Sequence, residues 1–157
     1  MVVDGRIEMG FVFAPARGEL FIGRRGGGAS LNGKPITVSA AASLTEGILG
    51  VGYNSRLPTD NYLRFFERLL RQGGTFYRDG SGALTLCYVA CGRLIGYVEP
   101  HMHSWDCVGA MAVIEAAGGR NNDFLAGDGM WKGSRVISGG PRLYPQLERL
   151  LEPDAKD

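Results

Sequence analysis

Five side chains able to hold a metal, move a proton or accept a hydrogen bond crowd into eight residues. They are Glu99, His101, His103, Ser104 and Asp106, in the run EPHMHSWD. Two imidazoles one residue apart and a carboxylate are donor types that zinc takes. His101 and His103 are the chain's 2 histidines, and no second shell that would orient them can be inferred. They read better as loop histidines that hydrogen-bond at the surface. A carboxylate among oxygen donors suits Mg²⁺ better than zinc, and Asp106 is the residue placed to supply it.

The elements around this run say why. From Trp105 to Ala117 the chain is apolar almost all round, as a buried helix is. Asp106 sits at its amino end, where a carboxylate is stabilised by about 0.3–1 kcal/mol and can accept free backbone N–H groups. Asp106, or Ser104 beside it, therefore fits a helix cap as well as a metal ligand. The run LIGYVE (94–99) predicts a strand ending at Glu99. A loop between a strand's carboxyl end and a buried helix is where α/β proteins place their sites.

The rest of the chain supplies the frame. Residues 1–40 alternate and carry aromatics between turn signals, with Asn32-Gly33 as a tight turn. ILGVGY (48–53) suits a buried strand. Tyr62, Phe65, Phe66, Leu69 and Leu70 mark one face of a helix begun by Pro58 and Thr59 or Asp60 and stopped by Gly73-Gly74, with Arg64, Glu67, Arg68 and Arg71 left to water. TFYR (75–78) predicts a strand and SGALTLCYVACGR a helix capped by Ser81 and closed by Gly92. SRVIS (134–138) and RLYPQLERLL close the pattern, and EPDAKD reads as a frayed tail. The fold class is α/β: the end of an antiparallel sheet (1–40) joined to a mixed α/β sandwich (41–157), a partial fold.

Composition removes several functions. The chain has 17 Lys+Arg against 16 Asp+Glu, so no field favours nucleic acid or an anionic membrane. No apolar run is long enough to span a bilayer, and no signal peptide is visible. The 3 cysteines lack framework spacing, which points to a reducing, cytoplasmic compartment. Cys87 and Cys91, four apart on a helical face, read as small core residues. GRRGGGAS lacks the ending of a P-loop and reads as a hairpin. Arg78 and Asp79 precede a helix and could contact a substrate, though an ordinary salt bridge is the better reading, and no Gly-x-Ser-x-Gly elbow occurs.

The run WDCVGAMAVIEAAGG resembles the C-terminal signature of the inositol monophosphatase family, in which Trp-Asp opens a helix ending in Glu-Ala-Gly-Gly. Here Trp105-Asp106, Glu115-Ala116-Ala117 and Gly118-Gly119 match, with one extra alanine. GFVFAPARGELFIGRRGGGASLNGKPITVS, RDGSGALTLCYVACGRLIGYVE and VISGGPRLYPQLERLL are similar to further segments of the family, so the likeness runs over residues 2–151. It implies Mg²⁺-dependent hydrolysis of a phosphomonoester, with a small phosphorylated polyol or sugar as substrate. Asp106 would bind one Mg²⁺ and touch the leaving alcohol, and Glu99 would hydrogen-bond a substrate hydroxyl. Gly80, Ser81 and Gly82 would line the pocket, Gly82 standing where the family usually has alanine. His103 would lie near the site without being a ligand. Relatives acting on fructose bisphosphate, histidinol phosphate or nucleotide 3′-phosphates stay open.

The family's Glu-Glu pair and Asp-Pro-Ile/Leu-Asp-Gly-Thr motif supply its other metal ligands. None of the 16 acidic residues stands in such a motif. The expectation is a partial family member with little activity alone, an uncovered sheet face and a homo-oligomeric state. The alternative is a non-catalytic, oligomerising module that keeps the C-terminal half of the fold. Mg²⁺ prefers six oxygen ligands, so Asp106 alone would hold it weakly. A phosphate-release assay on the 157-residue chain with Mg²⁺ and inositol phosphate is expected to show little or no turnover, and ordinary phosphatase rates would refute this reading.

Overall fold

A computed structural model of the chain describes residues 1–55 and 58–151; the tail read as frayed, 152–157, lies outside the described residues. The first strands, β1 (Val2–Val3) and β2 (Arg6–Ile7), form a small hairpin. Asp4 and Gly5 both take positive φ at its turn. Next come β3 (Met9–Ala14), β4 (Glu19–Arg24), β5 (Gly28–Leu31) and β6 (Lys34–Pro35), an antiparallel sheet in the order β3-β4-β5-β6. The Asn32-Gly33 turn forms as the sequence predicts, and Asn32 also accepts from the Leu20 amide and donates to the Gly18 carbonyl. The Gly-rich run 23–30 is the β4–β5 hairpin. Its Arg25 is spent on an ion pair with Glu8 and on the Ile7 carbonyl, so it does not cradle phosphate.

The second half contains β7 (Ile48–Val51), α1 (Thr59–Arg71), β8 (Thr75–Tyr77), α2 (Gly82–Ala90), β9 (Gly96–Met102), α3 (Ser104–Ala116), β10 (Arg120–Asn121), α4 (Gly129–Lys132), β11 (Ser134–Gly139) and α5 (Tyr144–Leu151). Its sheet has the order β10-β11-β9-β7-β8. β7 runs parallel to β8 and β9, whereas β11 is antiparallel to β9 and β10.

The molecule stacks in four layers. Helices α2 and α3 lie between the two sheets, and α1 and α5 cover the far face of the mixed sheet. Strand alternation divides the core accordingly. Tyr97 and Val136 pack toward α2 and α3, while their neighbours Val98 and Ile137 pack toward Leu69 and Leu147 of the outer helices. The seat of α3 on the antiparallel sheet is unusually close. A Cβ on Gly10 would collide with the Gly109 carbonyl, and one on Gly23 with the backbone of Val113. Bare backbone on both strands lets the helix axis approach, so Cys107, Ala110, Met111, Val113 and Ile114 are all buried.

Four details differ from the sequence expectation. Strand β9 continues past Glu99 to Met102, so His101 lies in the sheet, and α3 begins at Ser104. The antiparallel partner β11 carries the ladder onward, pairing Met102 with Ser134. Leu70 faces outward at 56% exposure, because α1 buries a narrower stripe around Phe65 and Leu69. Arg68 is not left to water: its guanidinium donates to the Leu150 carbonyl at 2.7 Å and ties α1 to α5. Strand β10 and helix α4, too short to carry a period, were invisible in the sequence.

The outer face of the antiparallel sheet is apolar and open. Phe11 and Phe13 stand 67% and 62% exposed and are paired across the strand with Ile22 and Leu20. Strand β3 has no neighbour on its outer side among the described residues. The close seat of α3 gives a direct test. Gly23→Ala is expected to cost about 1–3 kcal/mol through overpacking. Gly109→Ala, whose Cβ would sit an ordinary 3.7 Å from the Phe11 carbonyl, should be tolerated and gain up to about 1 kcal/mol of helix propensity. Urea denaturation of the two variants separates these outcomes.

Candidate functional site

Asp106 occupies the third position of α3, not its cap. His103 is the capping residue and makes no side-chain cap bond. Ser104 sends its hydroxyl to the Met130 carbonyl at 2.8 Å, fastening α3 to α4. The Asp106 amide is satisfied by the His103 carbonyl at 3.0 Å. Its carboxylate is exposed and enters no hydrogen bond or ion pair among the described residues. Neither capping alternative therefore holds, and the charge points into a cavity.

That cavity, of about 520 Å³, is lined by Tyr53, Asn54, Ser55, Gly80, Ser81, Gly82, Glu99, His101, Met102, His103 and Asp106. The five residues that the resemblance assigns to the site, Gly80, Ser81, Gly82, Glu99 and Asp106, all line it, as do His101 and His103, whereas Ser104 does not. The five come from the N-terminus of α2, the middle of β9 and the first turn of α3. Because β7 is the parallel neighbour of β9, the segment after it, Gly52 to Ser55, reaches the same edge of the sheet. Tyr53 and Asn54 were missed, although their place at the last residue of a predicted strand and just beyond it was the available signal.

The start of α2 is tightly organised. Ser81 caps the helix by accepting from the Leu84 amide. Asp79 accepts from the Ser81 amide at 2.9 Å, from the Thr85 hydroxyl and from the Tyr77 hydroxyl. Asp79 is thus the anchor of the turn, in place of the salt bridge with Arg78 that the sequence suggested. Arg78 instead lies over the Tyr53 ring, 6.0 Å from its centre. No helix partner exists for the amides of Gly82 and Ala83, the first two of α2. Two helix N-termini, those of α2 and α3, open on one cavity, an arrangement that favours an anion. Asp106 and Glu99 on the same wall favour a cation. A cation–phosphate pair satisfies both.

Glu99 is half-buried, and the Tyr97 hydroxyl donates to its carboxylate. A side chain at residue 52 would collide with both groups, so the bare backbone of Gly52 lets this pair fold over the end of β7. Burial pushes the Glu99 carboxyl above the ordinary range. The Tyr97 bond and the nearby Arg78 and His101 pull it down, and Asp106 adds to the rise. The two histidines serve structure. His101 contacts the Lys132 carbonyl at 3.0 Å and is approached by Asn54, while His103 stacks on Trp105. Cys87 and Cys107 are buried and Cys91 half-buried, and burial raises all three thiols, as fits core residues.

The sequence profile of the inositol monophosphatase family matches residues 1–153. The chain belongs to this family. It is 33% identical over 153 residues to the Nus factor SuhB of Haemophilus influenzae, covering 96% of this chain and 57% of that protein. To the Nus factor SuhB of Escherichia coli K12 it is 34% identical, covering 99% of this chain and 59% of the relative. The extragenic suppressor protein suhB of Bartonella henselae superposes with a TM-score of 0.84 at 28% identity, over 94% of this chain and 57% of that one. An inositol monophosphatase from Anabaena (Nostoc) superposes at 0.79 with 31% identity, over 92% and 58%. The chain thus spans less than three fifths of the length of these relatives.

Members of the inositol monophosphatase family generally use Mg²⁺. Among the described residues, no three His, Cys, Asp or Glu side chains stand close enough to share an ion. Asp106 offers free oxygens, but the residues present do not by themselves fit a resident Mg²⁺. The raised Glu99 carboxyl yields a pH prediction. The folded chain binds this proton more tightly than the unfolded chain. Its contribution to stability is therefore full below about pH 4 and lost as pH rises through the raised value. Glu99→Gln keeps an acceptor for Tyr97 and cannot ionise. It is expected to raise the thermal midpoint at pH 7 and leave it unchanged near pH 4, as followed by circular dichroism.

Proposed function

We propose that the chain carries the polyol-facing half of an inositol monophosphatase-type, Mg²⁺-dependent phosphomonoesterase site. The observation that carries this reading is the convergence of Gly80, Ser81, Gly82, Glu99 and Asp106 on one cavity. In it, Asp106 is the metal-facing carboxylate beside the leaving alcohol. Glu99, held by Tyr97, accepts from or donates to a ring hydroxyl. The amides that open α2 meet a further oxygen of the substrate. SaIMPase-II, a protein of the same fold, binds inositol monophosphate in its crystal structure, which makes that compound the natural probe. The remaining metal ligands belong, in this reading, to polypeptide outside residues 1–157, and residues 1–40 are the edge of the sheet such polypeptide would complete.

A second reading, an interface module, is favoured by the open face of Phe11, Phe13, Leu20 and Ile22. In it, a second copy of the chain covers that face, and the Nus factor name of its relatives is consistent with a role other than turnover. Two measurements separate the readings. Titration calorimetry with Mg²⁺ and inositol monophosphate is expected to give a weak heat that disappears in Asp106→Asn, and an unchanged heat in that variant would remove the catalytic reading. Sedimentation of Phe11→Ser/Phe13→Ser would show a monomer if the face is an interface, and the wild-type state if it is not.

A further inference from the structure

Gly82 opens α2 on the cavity wall, and the tip of Met102 occupies the space that a side chain there would take. A Cβ built on Gly82 would overlap the Cε methyl of Met102 and lie 3.5 Å from its sulfur and 3.3 Å from the Tyr97 hydroxyl. Met102, the last residue of β9, is only 6% exposed. It lines the same cavity as Gly82, Glu99 and Asp106. The apolar spot that a fixed methyl would provide is therefore provided by the tip of an unbranched, polarisable side chain. A thioether with three rotatable bonds adapts to irregular shapes where an alanine methyl cannot.

We propose that Met102, seated on the bare backbone of Gly82, is the specificity-determining side chain of the cavity. Its Cε methyl forms a movable floor against the C–H face of a cyclic polyol or sugar phosphate. This rests on the reading of the site given above, because Glu99 and the α2 amides must hold the ring's oxygens for its C–H face to meet Met102. An alanine at residue 82 forces the methyl off its seat and into the cavity. A shorter side chain at residue 102 makes room for that alanine again. The two positions are coupled, as residues in direct contact are.

The experiment uses the whole chain labelled with methyl-¹³C methionine and ¹⁵N, titrated with inositol monophosphate in the presence of Mg²⁺. The Met102 methyl peak is assigned by its loss in Met102→Leu, a volume-conserving change. The expected result is that the Met102 methyl shifts together with the amides of Gly80 and Ser81. Gly82→Ala should displace the methyl peak in the free protein and weaken binding several-fold, and Gly82→Ala/Met102→Val should recover most of that loss. Amide shifts without a Met102 methyl shift would overturn this inference and leave the site reading standing. An unmoved methyl peak in free Gly82→Ala would overturn the packing on which the inference rests. If neither amides nor methyl respond in the wild type, the site reading falls and the inference with it.

Discussion

The contact on which the rest of this structure depends is the seat of α3 against the antiparallel sheet. Helices normally pack on sheets through side chains, about a side-chain layer apart. Here the bare backbones of Gly10 and Gly23 meet the helix backbone at Gly109 and Val113. The other faces of α3 bury Met111 and Ile114 among residues of both halves. Apolar burial at about 25 cal/mol per Å² drives the association, and the small residues set its distance. Because the helix is clamped on both sides, its N-terminus cannot drift, and the position of Asp106 follows from the packing of residues one to three turns away.

The cavity is built by the same economy. The organising groups are mostly satisfied inside the protein: Asp79 by three donors, Ser104 by the Met130 carbonyl, Tyr97 by Glu99. Among the groups that line the cavity are the Asp106 carboxylate, Glu99 and the start of α2. These are groups whose fields are strongest when the ligand is an anion escorted by a cation. The chain spans less than three fifths of the length of these relatives; among the described residues no group of three His, Cys, Asp or Glu side chains surrounds Asp106, and the face of Phe11 and Phe13 is open.

Much of this was legible in the sequence. Every helix longer than two turns was visible from its period and its punctuation: Pro58 and Gly73 around α1, Ser81 and Gly92 around α2, Gly118 after α3. The Asn32-Gly33 turn was read from residue chemistry alone, since only a few residue types accept positive φ. The reading failed where a neighbour decided the outcome. Strand β9 runs on to Met102 because β11 pairs with it there. Arg68 is drawn inward by a carbonyl 82 positions away. Ser104 turns from cap to clasp because α4 lies across it.

By itself the sequence determined the longer helices, most of the strands and the tight turns between them, and which residue types could meet an anion and a cation. Those properties are local, set by backbone sterics, side-chain periodicity and capping within a few residues. Only the tertiary structure decided that Tyr53, Gly82, Glu99, Met102 and Asp106 share one wall. It also decided that Asp106 has no hydrogen-bond or ion-pair partner among the described residues and that the Met102 methyl rests on Gly82. Those are distances between elements far apart in the chain, set by how closely α3 and β9 can approach their neighbours, and no local pattern encodes a distance of that kind.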